Sequence, residues 1–129
     1  MKFFLPLLLL LSSEGLPSQE AVLVLEMNMS VEGQAVFQPK VVVFSGQKAR
    51  VESVSEAGDG YAVEVTPVLE NGNQVRMDFV LVGISNGEKT VLSRPQIVTL
   101  LGLPAEITRT SGDSSQETLS LAVTPSLKN

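Results

Sequence analysis

The sequence predicts an all-β fold, an antiparallel two-layer or sandwich-like domain, on three observations. Tyr61, Val63, Val65 and Pro67 alternate with Ala62, Glu64 and Thr66, and Val75, Met77, Phe79 and Leu81 alternate with Arg76, Asp78 and Val80. A period of two belongs to a strand with one buried face. Between these segments stands Asn71-Gly72, and both residues tolerate the positive φ of a tight hairpin turn. The third observation is that the chain repeats itself. Pro39-Lys40-Val41-Val42-Val43-Phe44-Ser45-Gly46 to Val51 returns as Pro95-Gln96-Ile97-Val98-Thr99-Leu100-Leu101-Gly102 to Ile107, an offset of 56 (Pro39 to Pro95). Val63 to Leu69, with Val65-Thr66-Pro67, returns as Leu121 to Leu127, with Val123-Thr124-Pro125, at an offset of 58 (Val63 to Leu121). A two-residue insertion between the paired motifs produces that growth, so the domain is expected to consist of two related strand-turn-strand units, 39–69 and 95–127.

From the beginning of the chain, Met1-Lys2 supplies a positive start, Phe3 to Leu11 an apolar run broken only by Pro6, and Ser12-Ser13-Glu14-Gly15 small residues suited to cleavage. This pattern predicts a signal peptide over 1–18, cut near 15–18, and a single all-β domain over 19–129. The apolar run is well short of the ~20 residues of a membrane-spanning helix. Loss of Lys2 and Glu14, from nine basic and fourteen acidic residues, leaves the formal charge at −5. Such a length is about one domain by the usual ~100–200 residues. With no cysteine, an exported chain has to fold by packing alone. An acidic balance with singly scattered basic residues speaks against nucleic acid and anionic lipid as partners.

Strands are expected at Val22 to Met29, Val41 to Phe44, Ala49 to Val54, Tyr61 to Leu69, Gln74 to Gly83, Ile97 to Leu101, Ala105 to Thr110 and Glu117 to Val123. Asp59-Gly60 and Asn86-Gly87 mark turns, and Ser111-Gly112-Asp113-Ser114-Ser115 an exposed one. Val98 to Leu101 is also compatible with a short helical turn stopped by Gly102 and Pro104. Pro39 and Pro95 belong at strand starts or edges, because proline cannot donate to a ladder. Gly46 and Gly102 follow short apolar strands where positive φ reverses the chain. Ala49 and Ala105 are small residues on the return strands, and Pro67 and Pro125 close the Val-Thr-Pro motifs. All eight are structural positions; none carries chemistry.

The order of a Pro-led apolar strand, a Gly turn, an Ala-bearing return strand, a Val-Thr-Pro strand and an alternating strand resembles the C-terminal β module of bacterial secretins. Those proteins are the outer-membrane channels of type II and type III secretion and of type IV pilus machines. The likeness is carried by Pro39 to Val51, Gly60 to Leu69, Val75 to Leu81 and Ser93 to Thr99 with Gly102 and Ala105, and the opening Val22 to Met29, with Glu26, is similar to the family's first strand. This resemblance implies a periplasmic or envelope location and a non-catalytic role as an interaction or accessory component of a secretion, pilus or transport assembly. An alternative it implies is a homo-oligomeric structural or channel subunit of the outer membrane. The separate ring-forming domains and long barrel hairpins of secretins have no counterpart here. A barrel strand needs ~9–11 alternating residues, and only Val75 to Val82 approaches that.

Enzyme chemistry finds few supports. Histidine, cysteine and tryptophan are absent, which removes the commonest general base, the thiol nucleophile and most transition-metal sites. Glu52 with Glu56 and Asp59, or Glu64 with Asp78, are the carboxylates that a suitable register would bring together, and a solvated surface is their ordinary role. Asp59 and Asp113 lack the spacing of a calcium loop. Arg76 and Asp78 read as an exposed charge pair on one strand face. Asn28-Met29-Ser30 matches a glycosylation acceptor that only a eukaryotic secretory route would use. The reading is therefore of no cofactor, no metal and no small-molecule ligand, with a protein partner or self-association through sheet edges.

Overall fold

Alternating apolar residues build ten strands among the residues described by the computed structural model, 21–110 and 118–128. The expected signal peptide with its cleavage region, and the turn expected at Ser111 to Ser115, lie outside the described residues. The strands are β1 (Val22–Val31), β2 (Gln34–Phe37), β3 (Lys40–Phe44), β4 (Ala49–Val54), β5 (Gly60–Glu70), β6 (Gln74–Ser85), β7 (Glu88–Ser93), β8 (Gln96–Leu100), β9 (Ala105–Thr110) and β10 (Thr118–Leu127). They form two antiparallel sheets of five strands each. In the first sheet β1 and β10 pair at the centre, β9 flanks β10, and β2 and β3 follow one another along the far side of β1. In the second, β5 and β6 are central, β4 flanks β5, and β7 and β8 share the far side of β6. The all-β, two-layer expectation holds at this level.

The four long central strands supply most of the core. Leu23, Leu25 and Met29 of β1, Val63 and Val65 of β5, Val75, Met77 and Leu81 of β6, and Leu121 and Val123 of β10 are all at most 1% exposed. Phe79 is the largest of the fully buried side chains. Each such side chain contributes about 1.5–3 kcal/mol relative to exposure, which lets the domain hold together without disulfides. The hairpin predicted at Asn71-Gly72 joins β5 to β6, with φ of 54° and 83° at the two residues and Glu70 opposite Gln74.

Several details differ from the expectation. Strands β2 and β7 are additional, and β10 runs on through Pro125 to Leu127. The segment Val98 to Leu101 is not helical: β8 continues to Leu100 and the chain then turns. Val41 to Phe44 is apolar throughout yet buried only at alternate positions, Val41 and Val43, because one face of the sheet is covered.

The two halves of the chain make the same hydrogen bonds at matching places. Met27 N–H donates to the Pro39 carbonyl and Phe79 N–H to that of Pro95, each at 2.9 Å. Ser45 N–H donates to Ala21 O (2.9 Å) and Leu101 N–H to Asn73 O (2.8 Å). Met29 pairs with Phe37 and Ser30 with Ala35, which leaves Val36 as a bulge; Leu81 pairs with Ser93 and Val82 with Val91, which leaves Leu92 in the same position. These correspondences begin at Ala21 and Asn73, well before Pro39 and Pro95. Their spacing starts at 52 (Ala21 to Asn73) and reaches 56 because the β6–β7 hairpin is two residues longer on each arm than β1–β2. It reaches 58 between Val54–Gly60 and Thr110–Thr118, where the second connection has two more residues.

Candidate interaction surface

Each half changes sheets once, between β3 and β4 and between β8 and β9. At both crossings a glycine takes a φ that other residues avoid, 89° at Gly46 and 84° at Gly102. Gly46 N–H then donates to the Pro67 carbonyl at 2.6 Å and Gly102 N–H to the Pro125 carbonyl at 2.7 Å. In an antiparallel ladder a residue's N–H and C=O point to the same side. The missing N–H of Pro67 and of Pro125 therefore faces the crossing, where β4 and β9 have already ended and no ladder acceptor is left unpaired. That geometry admits two prolines into the interior strands β5 and β10. Ala49 and Ala105 begin the return strands, opposite Val65 and Val123.

The same rule decides what Pro39 and Pro95 do. Their carbonyls accept from Met27 and Phe79, so their missing N–H groups face β1 and β6 rather than the outside of the sheet. Neither proline blunts an edge. Lys40, Val42 and Phe44 of β3, and Gln96, Val98 and Leu100 of β8, turn their backbone groups away from β1 and β6, and no described strand pairs with that side. Phe44 O and Leu100 O each accept one bond from the following turn, from Gln47 and Leu103.

The side chains of these residues stand on the outer faces. Val42 is 52% exposed, Phe44 49% and Val98 51%. On the first sheet the patch continues onto β1, where Val22 lies opposite Phe44 and Val24 opposite Val42. On the second the equivalent neighbours are Gln74 and Arg76, opposite Leu100 and Val98. The edges of β4, β9 and β7 are different in kind: β4 turns Arg50 and Glu52 outward, β9 turns Glu106, and β7 carries Glu88 and Lys89.

Of the carboxylates singled out in the sequence, Glu52, Asp59, Glu64 and Asp78 are engaged with partners rather than gathered, and Asp113 lies outside the described residues. Glu64 meets Arg50 Nη1 at 2.7 Å and Lys48 Nζ at 3.6 Å; Glu52 meets Arg50 and Lys89, both at 3.6 Å. This ladder of charges lies over a small apolar cluster, Ala62, Val82 and Ile84, on the outer face of the second sheet. Asp59 accepts the Asn86 N–H at 3.0 Å and Asp78 the Gln96 side-chain amide at 2.6 Å. Register places Thr66, not Glu64, opposite Asp78. The expected Arg76–Asp78 pair is corrected: Arg76 Nη1 turns to Glu70 Oε2 at 2.6 Å, because Glu70 and Arg76 close the β5–β6 hairpin from the same face. Among the described residues no three acidic, histidine or cysteine side chains come close enough to share a metal ion.

A shallow groove of about 600 Å³ opens at the end of the second sheet away from the crossings, lined by Tyr61, Leu92, Gly83, Thr90, Ser85 and Asp59 among others. Its carboxylate, Asp59, already holds the neighbouring turn. The open apolar edges of β3 and β8 are thus the surface feature with the clearest capacity for contact. Compared with known proteins, the chain matches no family model, no curated protein and no solved structure.

Proposed function

We propose that this chain is an exported, non-catalytic β module that acts through protein contact, as an interaction or accessory component of an envelope secretion, pilus or transport assembly. The observation that carries the reading is the β3 edge, where Val42 and Phe44 stay exposed beside Val22 and Val24 while the backbone groups of Val42 have no strand partner among the described residues. An unblunted apolar edge is a template for a strand from another chain. The resemblance of Pro39 to Val51 and of its return to secretins supplies the setting. The second reading, a homo-oligomeric structural or channel subunit, is favoured by one further observation, the equivalent edge at β8.

The test is site-specific cross-linking from position 44, on the same exposed edge, in cells expressing the chain with its own leader, followed by envelope fractionation. Expected is an envelope-associated chain whose cross-linked products disappear with Val42→Lys and persist with Glu64→Gln. A chain found in the cytoplasm, or products indifferent to Val42→Lys, would refute the reading.

A further inference from the structure

We propose that copies of this chain associate edge to edge, β3 of one copy adding antiparallel to β8 of the next. This deepens the interaction reading by naming the partner of the β3 edge as a second copy, and it rests on that reading. Three observations carry it.

The first is geometric. Lys40, Val42 and Phe44 and their equivalents Gln96, Val98 and Leu100 all direct backbone groups outward and side chains to the outer face. Antiparallel pairing of Val42 with Val98 of the next copy therefore makes a hydrogen-bonded pair with both side chains on one face, as a continuing sheet requires. The first sheet of one copy then runs into the second sheet of its neighbour.

The second is selectivity among edges. Charged residues are a common device against edge pairing. β4 carries Arg50 and Glu52, β9 carries Glu106 and β7 carries Glu88 and Lys89, and β2 is only four residues long, whereas β8 has no charged residue and β3 only Lys40, at its end. A β3–β3 junction centred on Val42 contains two edge lysines, one at each end, each opposite Phe44 of the other copy; a β3–β8 junction contains one. A single kind of junction then uses the β3 edge and the β8 edge of every copy, and such a head-to-tail contact forms runs rather than a closed pair.

The third is extent. Five-residue edges with two exposed apolar side chains each cover far less than the ~1,200–2,000 Å² of a stable interface. Association is accordingly reversible and grows with concentration.

The experiment is sedimentation velocity over a concentration series of the exported chain. Wild type is expected to pass from monomer through dimer to larger species. Val42→Lys blocks one edge and Val98→Lys the other, both at sites already half exposed, so each variant alone stays monomeric while an equimolar mixture stops at the dimer. Circular dichroism identical to wild type confirms that the variants fold, and Val42→Thr keeps the wild-type behaviour. A wild-type chain monomeric throughout overturns the proposal, as does dimerisation of either lysine variant by itself or a mixture that stays monomeric. A monomeric wild type that still cross-links from position 44 in the envelope would sink self-association and leave the interaction reading standing; oligomers without any envelope association would do the reverse.

Discussion

Ser45 shows how much one hydroxyl can decide in a chain otherwise stabilised by apolar packing. It is 3% exposed, the one buried polar residue among those described, and its Oγ accepts the Leu69 N–H at 2.9 Å. That N–H points past the end of β4, where no ladder partner exists, so the hydroxyl takes the ladder's place. Replacing Ser45 with Ala leaves a buried donor unsatisfied and is expected to lower stability by about 1–3 kcal/mol, read from urea unfolding midpoints. The role was not legible beforehand, because the repeat aligns Ser45 with Leu101 and offers no polar pattern to notice. The prolines and glycines were legible as architecture from their backbone chemistry alone. What sequence could not supply was direction: whether the missing N–H of Pro39 faces β1 or the outside depends on which residue its carbonyl meets.

Elements with unbroken alternation were visible in the sequence, and those with a bulge were not. β5 and β6 keep period two and were placed within a residue or two of their ends. β2 and β7 escaped because Val36 and Leu92 are extra residues that reverse the alternation in mid-course. The kinship of β1 with β6 escaped too, because the longer β6–β7 hairpin changes the spacing from 52 to 56 before the clearer motif begins. The edge strands yield a prediction at this scale. In dilute monomer the amides of Val41 and Val43 are bonded to β1 and those of Lys40 and Val42 are not. Hydrogen exchange read residue by residue by NMR should show Val41 and Val43 slower by about tenfold or more, the factor that ~1.4 kcal/mol of added protection gives. Fast exchange at all four would mean that β3 frays as a unit. Protection appearing at Val42 and Val98 together as concentration rises is the signature of the proposed junction.

At the scale of the molecule, each sheet is assembled from both halves of the chain. The first takes β1, β2 and β3 from one half and β9 and β10 from the other; the second takes β4 and β5 with β6, β7 and β8. The repeat is therefore a repeat of sequence without independent folding units, since β1 needs β10 beside it and β5 needs β6. Residues 21–70 alone are expected to lack the far-UV circular dichroism of strands, and the whole chain to unfold in one transition by every probe. A half that folded by itself as a monomer would contradict the shared-sheet account.

The pairing of β1 with β10 has one more consequence. It brings residues 21 and 128 out at the same end, with the Lys128 N–H donating to the Val22 carbonyl at 2.9 Å. A pull between those two points runs along the hydrogen bonds of the central ladder rather than across them, so the bonds bear the load one after another. Tension applied there opens the domain like a zip fastener, from the crossings toward the Glu32 turn, at far lower force than a sliding of whole strands would demand.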